Sequence, residues 1–183
     1  MRSMTFLSLW ICLATMALAG SDPARVSSIG LVEVLLHMRK GAVVVDVRPA
    51  EAFAAGHLRG SVNLGLSPRL AEFGPRAVRP DARIVVVAPD GREVEAVSAL
   101  ERAGFRHVVG VLAGGIGSME RHPRLIEQSR RLSADELARE LAGSYPPISP
   151  GVRTAAEHAA GRIPGSIHVP LEQVADRAGE LPA

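Results

Sequence analysis

The chain of 183 residues has little cysteine, little lysine and few aromatic side chains. Its single cysteine, Cys12, excludes an internal disulfide framework and a cysteine-based structural zinc site. The 21 basic and 19 acidic residues leave a formal charge of +2, which is too small to indicate nucleic acid as a partner. Because only four Phe, one Trp and one Tyr are present, we expect a core built mainly from aliphatic side chains.

The first 19 residues have the composition of a secretory signal peptide. Arg2 precedes an uncharged run over 5–19, and Ala17-Leu18-Ala19 is a small-x-small cleavage pattern. The apolar run is shorter than the roughly 20 residues that a membrane-spanning helix needs. We therefore predict that residues 1–19 are removed and that the protein is exported, periplasmic or secreted, with no membrane attachment afterwards. An uncleaved anchor or a spurious upstream start are the alternatives, and an uncleaved chain is expected to be cytoplasmic.

The body of the chain alternates between strand and helix patterns. Three short valine-rich runs are typical of strands buried on both faces of a parallel sheet: Ala42–Val47, Ile84–Ala88 and Val108–Leu112. Apolar positions with helical spacing lie over Leu31–Met38 and Val94–Ala103, and Gly104 is a C-terminal stop signal. This alternation predicts an α/β fold, with a parallel sheet flanked by helices.

One stretch of the sequence occurs twice, at a constant offset of 105 residues. Val47–Leu66 reads VRPAEAFAAGHLRGSVNLGL, and Val152–Leu171 reads VRTAAEHAAGRIPGSIHVPL. The second copy stops before the later strands, and prolines interrupt its first strand at Pro146–Val152. We therefore predict a first unit over 27–125, then a linker and a truncated second unit over 126–183. Whether the second unit packs on the first, pairs with another chain or is disordered stays open.

These motifs resemble the rhodanese family of sulfurtransferase-like α/β domains. The resemblance is carried by AVVVDVR, AEAFAAGHLRGSVNL, IVVVA, Gly104-Phe105 and Leu112–Gly115. It implies a rhodanese-like domain followed by a truncated rhodanese-like half-domain. The pattern is most similar to the tandem rhodanese region that follows a metallo-β-lactamase-type domain in persulfide-dioxygenase-like proteins. This sequence contains no metal-binding motif of the metallo-β-lactamase type.

An active rhodanese carries a nucleophilic cysteine directly after its second strand, and here the resemblance places Ala88 at that position. It therefore implies no catalytic residue and a degenerate active-site loop, formed by Ala88, Pro89, Asp90, Gly91, Arg92 and Glu93. Asp90 and Glu93 have the spacing of a capping box, so we expect their carboxylates to bind the N–H groups at the helix start. An anion pocket centred on Arg92 and the Gly91 amide is the alternative.

A second set of residues is predicted to shape the fold rather than to react: Asp46, Arg48, Gly56, His57 and Gly60. Asp46 and Arg48 are expected to form a buried polar pair, and His57 to hydrogen-bond within the fold. The six histidines show no metal-ligand spacing, so neither a metal nor a cofactor is predicted. Ser133 and Glu136 form another capping-box pattern, and Gly114-Gly115 predicts a turn.

The sequence thus favours a non-catalytic rhodanese-like protein that acts as an exported binding or structural module. An unidentified protein is its expected partner. The competing hypothesis is a sulfurtransferase that works with a cysteine supplied by another protein. A third is an eroded fragment of a persulfide-dioxygenase-like chain.

Overall fold

The computed structural model describes residues 26–182, so the predicted signal peptide and Cys12 lie outside the described residues. The elements of the first unit are, in chain order, β1 (Ser28–Ile29), α1 (Leu31–Arg39), β2 (Val43–Asp46), α2 (Ala50–Ala55), β3 (His57–Leu58), β4 (Val62–Asn63), α3 (Leu70–Ala77), β5 (Arg83–Val87), α4 (Glu93–Arg102) and β6 (His107–Leu112). Five of the strands form one parallel sheet in the spatial order β1-β6-β5-β2-β4. The predicted α/β fold with a parallel sheet is confirmed.

The valine runs form the centre of this sheet because they are covered on both faces. Val44, Val45, Val85 and Val86 are all 0% exposed. On one face they pack with a cluster that includes residues of α3 and α4, and on the other with a cluster that includes residues of α1. Gly104 adopts φ +96°, so α4 ends where the sequence predicts.

Several elements have no clear signal in the sequence. β1, β3 and β4 are two residues long, which is too short to show an alternating pattern. Helix α3 contains Pro75, a residue that normally argues against a helix interior. These elements form because the larger strands and helices offer them a surface to pack on.

The first residues of the predicted linker pack against the first unit. Strand β7 (Ile126–Glu127) pairs antiparallel with β3, so that Ile126 lies opposite Leu58. Further along, Arg131 Nη1 lies 2.7 Å from Glu51 Oε1. The basic residues here therefore flank a short strand that the first unit holds in place.

The second unit contains α5 (Ala134–Leu141), β8 (Pro150–Gly151), α6 (Ala155–Ala160), β9 (Ile167–His168) and α7 (Val174–Arg177). The predicted capping box at the start of α5 is confirmed, with Ser133 and Glu136 each accepting the other's backbone N–H. A 3₁₀ turn at Leu171–Gln173 contacts α3, and Val169 is buried. No helix among residues 26–182 is long and apolar enough to cross a membrane.

Candidate functional site

Strands β2, β4 and β5 end at the same edge of the parallel sheet. Ligands of open α/β sheets bind at the carboxyl ends of the strands. A hollow of about 330 Å³ opens at this edge and is lined by Val47, Pro49, Ala50, Asn63, Gly65, Leu66, Ser67 and Arg92. Arg92, from the loop between β5 and α4, therefore lines the hollow. This loop is the one that the sequence analysis predicts to be a degenerate active-site loop.

That loop begins with a buried methyl group. Ala88 directly follows β5 and is 3% exposed. The chain then turns sharply, because Gly91 adopts φ +74° and the Arg92 N–H donates to the Pro89 carbonyl over 3.0 Å. Helix α4 starts immediately afterwards at Glu93.

The expected capping box of Asp90 and Glu93 is wrong. Arg92 is the N-cap of α4 and no side chain caps the helix, because the turn places Asp90 two residues before the cap. Instead, a Glu93 carboxylate oxygen accepts the Gly91 N–H over 3.1 Å. An Asp90 carboxylate oxygen lies 3.1 Å from the place where a Cβ on Gly115 would stand, so Asp90 faces the loop that follows β6.

The guanidinium of Arg92 is bound by a carboxylate of its own helix. Arg92 Nε donates to Glu95 Oε2 over 2.7 Å, and Nη2 donates to Oε1 over 2.5 Å. The hydrogen bonds and the charge of Glu95 raise the pKa of Arg92 above its usual value. The same hydrogen bonds lower the pKa of Glu95. The Arg92 charge at the hollow is therefore largely compensated within the protein.

Asp46 and Arg48 form a buried bidentate pair at the end of β2. Arg48 Nη2 lies 2.6 Å from Asp46 Oδ2, and Arg48 Nε and its backbone N–H each donate to Asp46 Oδ1 over 3.0 Å. Arg48 Nη2 also donates to the Gly56 carbonyl over 2.8 Å. Two residues that are 0% and 8% exposed thus satisfy each other and tie the end of β2 to the end of α2.

His57 lies in a similarly internal position. Its Nδ1 is 2.8 Å from the Phe53 carbonyl oxygen, and its ring stacks on the Phe53 ring at 3.7 Å between centroids. Gly60 adopts φ +77°, a conformation that favours glycine, in the turn between β3 and β4. The contacts of His57 and the turn at Gly60 are therefore structural, as the sequence predicts.

Asn63 belongs to the site, although the sequence analysis did not select it. Its Nδ2 donates to the carbonyls of both Asp46 and Arg48 over 2.9 Å. Asn63 therefore binds the backbone on both sides of Val47, which lines the hollow together with Pro49. The available signal in the sequence was a polar amide inside the repeated motif. Among the described residues, no group of three or more His, Cys, Asp or Glu side chains could bind a metal.

Comparison with known proteins places the first unit in a family. A sequence model described as the rhodanese-like domain matches residues 31–122, half of the chain. Thiosulfate sulfurtransferase GlpE of Pseudomonas putida (strain GB-1) is 41% identical over 85 residues, which cover 45% of this chain and 76% of that protein. The uncharacterized protein YibN of Escherichia coli (strain K12) is 31% identical over 114 residues, covering 59% and 80%.

Two solved structures also match parts of this chain. The Alr3790 protein from Anabaena sp. has a TM-score of 0.49 at 20% identity, covering 56% of this chain and 94% of that chain. Thiosulfate sulfurtransferase from Pseudomonas aeruginosa has a TM-score of 0.47 at 22% identity, covering 85% and 33%. On the match of residues 31–122 to the family's sequence model, this chain belongs to the rhodanese-like domain family.

Proposed function

We propose that this chain is a rhodanese-like binding module that has no sulfurtransferase turnover of its own. The observation that carries the proposal is the buried methyl group of Ala88 at the end of β5. By resemblance to active rhodaneses, that position would hold the nucleophilic cysteine. Sulfur transfer requires a thiolate there to accept the sulfane sulfur, and a methyl group cannot form a persulfide.

The rest of the loop supports the proposal because two of its anion donors are already engaged. The Glu93 carboxylate accepts the Gly91 N–H, and the Glu95 carboxylate accepts from the Arg92 guanidinium. Pro89 has no backbone N–H that could donate to an anion. The three carboxylates of Asp90, Glu93 and Glu95 also bring negative charge close to the loop. Thiosulfate or a persulfide would meet repulsion where an active site needs attraction.

The hollow beside this loop remains available for a partner. It combines apolar walls from Val47 and Leu66 with polar groups from Asn63 and Ser67. Such a mixture fits a protein segment better than a small anion. The composition of residues 1–19 further supports a role outside the cytoplasm.

A sulfurtransferase assay tests the proposal directly. Purified chain is incubated with thiosulfate and cyanide, and thiocyanate formation is followed against protein concentration. We expect the rate of the buffer blank. The Cys12→Ser variant is the matched control, because it removes the only thiol of the chain. Turnover that rises with protein concentration and survives in Cys12→Ser would overturn the proposal.

The names of the relatives motivate a second candidate, in which another protein supplies the cysteine. Adding back the proteins that co-purify with the chain separates the two hypotheses. A rate that requires both components, together with a gain of about 32 Da on a partner cysteine, would favour shared sulfur transfer over simple binding.

An Ala88→Cys variant sharpens the electrostatic part of the argument. We expect its thiol to react slowly with iodoacetamide, because residue 88 is buried and carboxylates flank the loop. Adding Glu93→Gln should speed alkylation about threefold to tenfold by lowering the thiol pKa. Equal rates in the two variants would contradict the role given to Glu93. Adding Glu101→Gln, at the far end of α4, is the matched control.

A further inference from the structure

The second unit repeats the local geometry around Arg48 at an offset of 105 residues. Val45 pairs with Val62 and, correspondingly, Pro150 pairs with Ile167. Arg48 Nη2 donates to the Gly56 carbonyl over 2.8 Å, and Arg153 Nη1 donates to the Gly161 carbonyl over 2.8 Å. The backbone groups around the Arg153 guanidinium therefore correspond to those around Arg48. We call this set of backbone groups the frame of each arginine.

The carboxylate that fills this frame in the first unit has no counterpart in the second. Gly151 occupies the position that corresponds to Asp46. A Cβ on Gly151 would lie 3.6 Å from His158 Nδ1 and 3.8 Å from Ser166 Oγ, which are ordinary contact distances. The backbone thus leaves room for a side chain that the sequence does not provide.

A cavity of about 270 Å³ opens at this place. It is lined by Ser149, Pro150, Gly151, Arg153, His158, Gly161, Arg162, Ile163 and Ser166. Ser166 Oγ is buried and has no hydrogen-bond partner among the residues that the structure describes. The corresponding Ser61 Oγ, by contrast, donates to the Leu58 carbonyl over 2.6 Å. Buried polar groups are almost always hydrogen-bonded, so this hydroxyl needs a partner from outside the described residues, such as water or a ligand.

The basic side chains around the cavity favour an anionic ligand. Within 26–182, neither Arg153 nor Arg162 forms an ion pair with an acidic side chain. The nearby Glu157 carboxylate accepts from the backbone N–H and the hydroxyl of Thr154, and it also interacts electrostatically with Arg153. Burial lowers the pKa of His158, and the positive charges of His168, Arg162 and Arg153 lower it further. The second unit has thus lost the carboxylate that corresponds to Asp46, whereas the arginine that corresponds to Arg48 is retained as Arg153.

We propose that this cavity of the second unit binds a small carboxylate, whose oxygens take the place of the Asp46 carboxylate of the first unit. The first unit supplies the template for the contacts. Arg48 binds Asp46 through Nε, Nη2 and its backbone N–H. Arg153 offers the same set of donors, and Ser166 Oγ adds a hydroxyl. A planar carboxylate matches this bidentate arrangement.

A titration with sodium acetate tests the inference on the whole chain. The ¹H–¹⁵N NMR signals of Gly151, Arg153 and Ser166 are followed while sodium chloride keeps the ionic strength constant. We expect saturable shifts confined to the cavity. Gly151→Asp should remove the response, because it supplies the missing carboxylate within the chain. Arg153→Ala should weaken acetate binding about tenfold or more, and Arg139→Ala on α5 is the matched control without effect.

Three outcomes would overturn the inference. They are the absence of any saturable shift, an unchanged acetate response in Gly151→Asp, and equal weakening by Arg153→Ala and Arg139→Ala. Parallel titrations with sodium sulfate and sodium thiosulfate separate the ligand classes. Saturation by either tetrahedral anion without saturation by acetate would contradict the assignment to carboxylates. Because the cavity is distinct from the loop at Ala88, this test is independent of the sulfurtransferase assay.

Discussion

Arg48 and Arg153 donate to the carbonyls of Gly56 and Gly161 over the same distance, 2.8 Å. Arg48 is nevertheless buried in the first unit, whereas Arg153 is exposed in the second. The strand pairing differs as well, because β5 lies beside β2 in the first unit, whereas β8 has only β9 beside it among the described strands. The repeated sequence therefore builds the same local turn twice, but burial depends on what the rest of the chain adds.

The sheet edges show the same contrast. Strand β2 lies between β4 and β5, whereas β8 pairs with β9 alone among the described strands. Pro150 stands in β8 where Val45 stands in β2. Proline has no N–H to donate and is tolerated at the edge of a sheet. The edge strand β8 thus has one backbone donor fewer for pairing with a further strand.

The largest predicted difference between the units concerns these two arginines. Arg48→Ala should lower the free energy of unfolding by about 3–5 kcal/mol, because it leaves the Asp46 carboxylate buried without its partner. Arg153→Ala should change it by less than about 0.5 kcal/mol, as is usual for an exposed side chain. Urea unfolding followed by circular dichroism measures both. Equal losses would show that the two frames are buried to the same extent.

A smaller effect separates the helix starts of α5 and α4. Ser133→Ala should destabilise α5 by about 1 kcal/mol, because Ser133 accepts the Glu136 N–H as N-cap. Asp90→Ala should cost less than about 0.5 kcal/mol, since Asp90 is not the cap of α4. Hydrogen exchange of the first-turn amides of each helix reports the change. A loss of protection in α4 as large as that in α5 would reinstate the capping role of Asp90.

The smallest predicted effect is a shift in the titration of His158. Its pKa lies below the ordinary histidine value, mainly because of burial and then because of His168, Arg162 and Arg153. The neutral ring therefore contributes stability that is present above the unfolded pKa and is lost as the pH falls through the folded pKa. Arg162→Ala should raise the His158 pKa by a fraction of a pH unit and reduce this loss. NMR titration of the His158 ring protons measures it, and a lower pKa in the variant would contradict the assignment.

The strands were predictable wherever the pattern was long enough. The valine runs predict the buried parallel strands β2, β5 and β6, and the Ser133 capping box predicts the start of α5. The sequence could not indicate β3 pairing with β7, because two-residue strands form only when another segment of the chain meets them. It also placed the cap of α4 wrongly, since the Gly91 turn that displaces Asp90 depends on the loop's own hydrogen bonds.

The residues of the candidate site also divide into those that the sequence could predict and those that it could not. The positions of Ala88, Asp46, Arg48 and His57 could be selected from the motif alone. The Arg92–Glu95 pair could not, because a spacing of three residues becomes a contact only once the start of α4 is known. The role of Asn63 likewise depends on β4 lying beside β2.

The sequence by itself determined the absence of a thiol between residues 26 and 182, the valine core and the offset of 105 residues. These properties follow from residue identity and spacing, which no fold can change. Only the tertiary structure decided which groups are already bound and which remain without a partner. Glu93 and Glu95 bind two donors of the loop at Ala88, while Ser166 Oγ has no partner among the described residues, because hydrogen bonds depend on distances that only the folded chain sets.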